Sequence, residues 1–122
     1  MKIELDSFGS VICKQPSLST CFDLVSMWSE NQNRSTMGRI CAMAICICAD
    51  SPKFPKIKYL TNVQEYGSKC LDFLLGAGIP VDEILHNGVQ CIGMMATALP
   101  SKQEVDEVEN FTEPPNPETS SG

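Results

Sequence analysis

Residues 38–49 read Gly-Arg-Ile-Cys-Ala-Met-Ala-Ile-Cys-Ile-Cys-Ala, and beyond Arg39 the run carries no charged or strongly polar side chain. Crossing a bilayer takes roughly 20 consecutive apolar residues, so this run is too short to span one. At this length it is a buried helix or a buried strand, and periodicity does not separate the two. Ala42 and Ala44, with Met37 and Met43, favour helix, whereas Ile45 and Ile47 favour strand. Ser35 or Thr36 supplies an N-cap by accepting a hydrogen bond from a free backbone N–H. Asp50, Ser51 and Pro52 stop the run, because the residue before a proline avoids the helical region. The balance predicts a helix over 36–49, apolar nearly all round. Such a helix has to be covered on most sides, so its neighbours are expected to be amphipathic and to wrap it.

Upstream of it, residues 2–5 alternate polar and apolar, Asp6-Ser7-Phe8-Gly9-Ser10 is rich in turn formers, and Val11-Ile12-Cys13 resumes a β-prone run. This pattern predicts an N-terminal hairpin ended by Pro16. Ser17 or Ser19 can cap the next helix, in which Leu18, Cys21, Phe22, Val25 and Trp28 recur at spacings of three and four and are expected to face inward. The single tryptophan, Trp28, therefore reads as a packing residue.

Downstream, residues 51–60 are interrupted by prolines, with Lys53, Lys56 and Lys58 around Phe54 and Ile57. They suit a loop or a short edge strand blunted by lysines. Thr61-Asn-Val-Gln64 matches a capping box. It opens a helix with Val63, Tyr66, Cys70, Phe73 and Leu74 on one stripe and Gly76-Ala77-Gly78 as its stop. Gly67, in mid-helix, is expected to mark a close helix–helix approach. A further helix runs from Pro80 to about Leu99 with Asp82 and Glu83 at its dipole-favoured start. Its expected inward residues are Ile84, Leu85, Val89, Ile92, Met95 and Leu99, with Asn87-Gly88 as a candidate break. Ser101-Lys-Gln-Glu104 is a second capping box, followed by Val105, Val108 and Phe111 at amphipathic spacing. From Thr112 onward no apolar residue occurs, and such a composition is expected to remain disordered. The expected fold is thus α+β and mostly α. An N-terminal β-hairpin precedes about five helices around a buried central one, in a single globular domain over 1–111 with a disordered acidic tail over 112–122.

Net charge is −6, but it is unevenly distributed. Residues 1–100 hold nine acids and eight bases, whereas residues 101–122 hold six acids and only Lys102. A near-neutral body argues against a nucleic-acid-binding module, which would concentrate basic residues on one face. No apolar leader follows Lys2 and no segment reaches membrane-spanning length, so a cytoplasmic chain without membrane partners is expected. In that compartment, seven cysteines are expected to remain free thiols. The glycosylation patterns at Asn33 and Asn110 then have no consequence.

The chemistry-bearing residues do not assemble into a known catalytic pattern. Cys41, Cys46 and Cys48 have spacings unlike zinc-binding pairs, and Cys13, Cys21, Cys70 and Cys91 sit on apolar stripes. Cysteine here reads as a small apolar core residue. His86, the single histidine, is off the helical face of Cys91, which argues against a nucleophilic pair. Asp82 and Glu83 are splayed by about 100° on a helix, which argues against a paired acid–base role. No phosphate-binding loop, dinucleotide fingerprint or Ser-His-Asp pattern occurs. The expectation is a non-enzyme with no cofactor and no metal. Lys53, Lys56 and Lys58 on the edge, with Met94 and Met95 as adaptable apolar groups, are the candidate partner contacts.

Three pieces of the chain, taken in order, resemble a family. They are Arg39-Ile-Cys-Ala-Met-Ala-Ile, then Tyr66-Gly-x3-Leu71-Asp-x-Leu74-Leu75-x2-Gly78-Ile-Pro, then Leu99-Pro-Ser-x2-Glu104-Val-x5-Phe111-Thr. Together, over most of residues 1–113, they look like the small tail assembly chaperones of tailed bacteriophages. None of these pieces is catalytic, and the N-terminal hairpin departs from the family's largely helical pattern. The resemblance implies a helical, protein-binding assembly factor in the host cytoplasm that binds the tape-measure protein and recruits tail-tube subunits, with homo-oligomerisation as an option. The alternatives are a structural accessory of the virion, in the tail or neck, and a small inhibitor of a host protein.

Overall fold

A computed structural model describes residues 1–31, 33–56 and 62–99. The N-terminal segment forms the expected hairpin. Strand β1 (Lys2–Leu5) pairs antiparallel with β2 (Gly9–Ile12), with Ile3 opposite Val11 and Leu5 opposite Gly9. Period-two alternation puts Ile3, Leu5 and Val11 on the buried face. The second strand starts two residues earlier than its β-prone run because the turn needs only residues 6–8, with Gly9 at φ +70°.

Four helices follow. Helix α1 (Leu18–Glu30) is capped by Ser17, whose hydroxyl accepts from the Thr20 N–H at 3.3 Å. Its buried stripe is not the expected one. Cys21 and Leu24 are fully buried and Trp28 is half-buried, whereas Leu18 and Phe22 are 54% and 49% exposed. The helix is rotated by about one residue's step from the predicted phase, so that Leu24 and Met27 flank Cys21 in place of Leu18 and Phe22.

The apolar run is a helix, α2 (Arg34–Cys48), starting two residues before the predicted 36–49. Its cap is Asn33, not Ser35 or Thr36. The Asn33 side-chain oxygen accepts from the N–H groups of Ser35 (2.9 Å) and Thr36 (3.3 Å), and asparagine outranks threonine at this position. Every residue from Ile40 to Cys46 is buried, as is Cys48. The last turn is tied to the hairpin. Cys13 bridges Ala49, the Lys14 N–H donates to the Cys48 carbonyl at 2.8 Å, and the Asp50 N–H donates to Ile12 at 2.8 Å.

Helix α3 (Val63–Gly76) is capped one residue later than the Thr61 box predicted. The Asn62 side-chain oxygen accepts from the Glu65 N–H at 3.2 Å, and its amide donates to the Glu65 carboxylate at 2.8 Å. At its other end Gly78, at φ +86°, lets the Ile79 and Gly78 N–H groups reach the carbonyls of Leu74 and Leu75. This is the double-bonded left-handed cap that glycine permits. Helix α4 (Val81–Ala98) runs through Asn87-Gly88 without the expected break. Asn87 is buried and donates to the Glu83 carbonyl (3.0 Å) and across to the Glu4 carbonyl of β1 (3.1 Å). Val89, expected inside, is 45% exposed. The fifth helix expected over 101–111 and the tail over 112–122 lie outside the described residues.

Helix α2 therefore sits between α1, α3 and α4, which all pack on it. The architecture is mostly helical with an N-terminal two-stranded hairpin, as expected. Residues 51–56 form turns and bends rather than an edge strand. Phe54 from this loop meets Phe8 of the hairpin turn at 4.8 Å and Phe73 of α3 at 5.5 Å, closing one corner of the core with three rings.

The α2–α4 contact is the tightest of the helix pairs for which a glycine reports the spacing. A Cβ at Gly88 would lie 2.3 Å from the Cys41 Cβ and 2.7 Å from its Cα. At Gly67 the expected close approach is present but looser, 3.2 Å from the Arg39 Cβ. At Gly93 nothing lies within 4 Å. Gly88→Ala is therefore expected to destabilise by about 2–3 kcal/mol, since backbone has to move. Gly93→Ala is expected to stabilise by about 1 kcal/mol through helix propensity. Thermal unfolding of the two variants against the parent checks both signs.

Candidate functional site

Six of the seven cysteines come from helices, three from α2 and one from each of α1, α3 and α4, and all seven are buried free thiols. Cys91 of α4 interacts with the thiols of Cys13 and Cys48, and Cys48 with Cys21 of α1. A second group joins Cys46 of α2 to Cys70 of α3, beside the Tyr66 hydroxyl. Burial pushes the Cys41 thiol up to about 12, and burial likewise pushes Cys21 up. Hydrogen bonding to Cys13 and Cys48, with burial, pushes Cys91 up. Cys21, Cys41 and Cys91 are thus held protonated in a closed core, whereas hydrogen bonding from Cys91 pushes the Cys13 thiol down and hydrogen bonding from Cys46 pushes the Cys70 thiol down. Among the described residues, no group of three or more His, Cys, Asp or Glu side chains is placed to hold a metal ion. His86 is exposed, with its Nε2 3.0 Å from the Gln90 amide, while Cys91 is buried.

The lysines of the predicted edge separate into different roles. Lys53 is exposed beside a shallow cleft of about 270 Å³ between the hairpin and the loop, with Phe8, Ile12, Asp50 and Phe54. Lys56 reaches back to the end of α2, where its ammonium donates to the Cys46 carbonyl at 2.7 Å and to the Ala49 carbonyl. Helix α2 has no basic residue in its own last turn, so Lys56 supplies the cation that the C-terminal dipole favours. Lys58 lies outside the described residues. Met95 is fully buried, which removes it as a surface contact, because its position on α4 faces α2 with Ile84 and Cys91. Met94 is half-buried at the edge of the core.

The residues that remain uncovered are different ones. On α1, Leu18 and Phe22 are half exposed; on α4, Val81 and Val89 are. The two helices pack against each other. The contacts among Cys21, Cys48 and Cys91 bring the first half of α1 level with the middle of α4. The flank of α1 carrying Asp23, Ser26 and Met27 shares a cleft with Val63 of α3. On α4, Asn87 reaches β1, and Val89 lies about 160° round the helix from it. Leu18, Phe22 and Val89 are thus large apolar side chains left half exposed on two helices that pack together. Sequence pattern had assigned all three to the core; Leu24, left off the predicted stripe, was the residue that signalled a different phase for α1.

No helix among the described residues is long and apolar enough to cross a membrane. No protein-family model, curated protein or solved structure matches the chain.

Two outcomes follow from this chemistry. A folded state that keeps a proton the unfolded chain loses is destabilised as pH rises. For Cys41 the loss starts near the ordinary thiol value of 9.0 and continues to about 12, at about 1.4 kcal/mol per pH unit. Denaturant titrations between pH 8 and 11 are expected to show that decline, and an aromatic disulfide reagent is expected to label all seven thiols only in denaturant. Lys56→Met is expected to cost about 1 kcal/mol by stripping the last carbonyls of α2 of their donor, measured by the same titration at pH 7.

Proposed function

We propose that this chain is a non-enzymatic, protein-binding assembly factor of the tail assembly chaperone type, acting in the host cytoplasm on tape-measure and tail-tube proteins. One observation carries the reading: Leu18 and Phe22 of α1 and Val89 of α4 are apolar side chains left half exposed on two helices that pack together. Aromatic and aliphatic side chains grouped at a surface and rimmed by polar residues are what a helical partner covers. The rim here is Ser19, Asp23 and Ser26 on α1 and His86 and Gln90 on α4, all exposed. A surface of this kind suits transient capture of an amphipathic helix, which an assembly factor has to hold and then release.

The resemblance in residues 39–45, 66–80 and 99–112 suggests the partner class, and the exposed Leu18, Phe22 and Val89 are the contacts we propose for it. Lys53 and Met94 border other parts of the surface and become secondary contacts in this reading. A tagged chain, drawn from cells making its genomic neighbours, is expected to recover a long helical tape-measure-like protein and to be absent from finished particles. Phe22→Ser with Val89→Ser should lower that recovery at least tenfold while leaving the melting temperature within a few degrees. Recovery of a host enzyme alone, or recovery unchanged in the double variant, overturns the proposal.

A further inference from the structure

The outer edge of the hairpin carries main-chain groups that no other strand covers. The Met1 ammonium donates to the Cys13 carbonyl at 3.1 Å, and the Cys13 N–H donates back to Met1 at 2.7 Å. This exchange fixes the alternation along the ladder. Ile3 with Val11 and Leu5 with Gly9 exchange bonds too, whereas Ser10 and Ile12 turn their N–H and carbonyl groups away from β1. The Asp50 N–H, donating to the Ile12 carbonyl at 2.8 Å, comes from that outer side. Residues 48–50 are thus the stub of a third strand, held by the Cys13–Ala49 bridge. The chain then leaves the edge in the turns of residues 51–54. Among the described residues nothing pairs with the Ile12 N–H or with the N–H and carbonyl of Ser10.

These groups face the cleft of about 270 Å³ whose walls are β2 and residues 50–54, with Phe8 and Phe54 at its apolar end. Small-molecule sites run to roughly 300–1,000 Å³, whereas one added strand needs a width of only about 4.8 Å. We propose that this cleft binds an extended segment of another protein by strand addition to β2, with an apolar residue of that segment opposite Val11 and an acidic residue beside it. A residue in that place donates its N–H to the Ser10 carbonyl and accepts from the Ile12 N–H, as in a parallel pair. Antiparallel addition would need a residue opposite Ile12, where Asp50 already stands. Laterally paired side chains share a face, so the seated side chain points with Val11 towards the two rings. The charges choose the flanking residue. Lys14 is paired with Asp50 at 3.2 Å, and Glu4 accepts from the Ser10 hydroxyl at 2.6 Å. The exposed Lys53 ammonium is left to take a carboxylate. A second copy would have to bring its own hairpin and helices against the wall of residues 50–54. The inference is independent of the assembly-factor reading and its α1 and α4 contacts.

The test is an NMR titration of the full chain with the capped pentapeptide acetyl-Glu-Thr-Val-Thr-Glu amide. In the free chain the Ser10 and Ile12 amides are expected to exchange with solvent at least tenfold faster than those of Val11 and Cys13. Addition of the peptide should shift the Ile12 amide and slow its exchange, saturating with a dissociation constant on the order of 0.1–1 mM. Methylating the nitrogen of the central valine should weaken binding at least tenfold, because it removes the donor to Ser10. Ile12→Pro should do the same, since proline lacks an N–H that β1 does not use. Should that variant fail to fold, the methylated peptide decides alone. Lys53→Glu should weaken binding about twofold to fivefold. Equal binding of the methylated peptide overturns the proposal, as does an Ile12 amide that the peptide leaves unmoved. An Ile12 amide protected in the peptide-free chain and released on dilution assigns the edge to a second copy and overturns it too.

Discussion

The approach of α4 to α2 at Gly88 and Cys41 is the contact on which the rest of the packing depends. With no Cβ on Gly88, the Cys41 side chain and backbone lie where a methyl group would otherwise be. Helix α2 is buried along almost its whole length, so every neighbour has to come close. It meets that requirement with small side chains: Ala42, Ala44, Cys41, Cys46 and Cys48. Cysteine is useful here because it fills slightly more volume than alanine without a β-branch and without a strong polar group. The thiols pair weakly with one another across α2, α3, α4 and the end of the hairpin. The raised values of Cys21 and Cys41 follow from that burial, and that of Cys91 first from its hydrogen bonds to Cys13 and Cys48.

An apolar central helix leaves its polar ends as the remaining problem. A helix has four free N–H groups at its start and four free carbonyls at its end, and burying them unpaired is costly. Asn33 serves the start of α2 and the Lys56 ammonium serves the end. The hairpin takes over where the helix stops, through Lys14 and Asp50. Asn87 does the same for the open edge of β1, at the cost of one buried amide with both donors used. Among the described residues no buried side-chain nitrogen or oxygen lacks a partner. The hairpin is thus a closing piece for the helical core. Ser7 adds to this role by donating to the Ala77 carbonyl at the α3–α4 turn, and Glu83 by accepting from the Asp6 N–H at 2.7 Å.

Sequence patterning recovered the elements better than their faces. Strong local signals placed the hairpin, the four described helices and the Gly76–Gly78 stop, because turn chemistry and proline act over a few residues. Caps were displaced by one or two residues, at Asn33 and Asn62. In both places an asparagine competed with a nearby serine or threonine and won. The inward face of α1 was misjudged because Leu18, Phe22 and Val25 form as good a stripe as Leu24 and Trp28 do, and spacing alone does not choose between two overlapping stripes. Gly88 reads from sequence as a helix breaker, since nothing local shows that a neighbouring helix needs the space. The exposure of Leu18 and Phe22 was hidden by that same ambiguity. The candidate contacts named from sequence included Met95, which is core, and Lys56, which is committed to a helix end.

The phase of α1 leaves apolar surface uncovered. Rotating the helix to bury Leu18 and Phe22 would turn the buried Leu24 and the half-buried Met27 outward. Phe22, half exposed, leaves roughly 100 Å² uncovered, worth about 2.5 kcal/mol if buried. With Leu18 and Val89 the total is about 5 kcal/mol, against about 8 kcal/mol for a micromolar complex between separate molecules. These three side chains by themselves are therefore too few to hold a free helix tightly, and enough to matter to one that brings further contacts. Weak single contacts summed along a long partner by several copies would give tight but reversible coating.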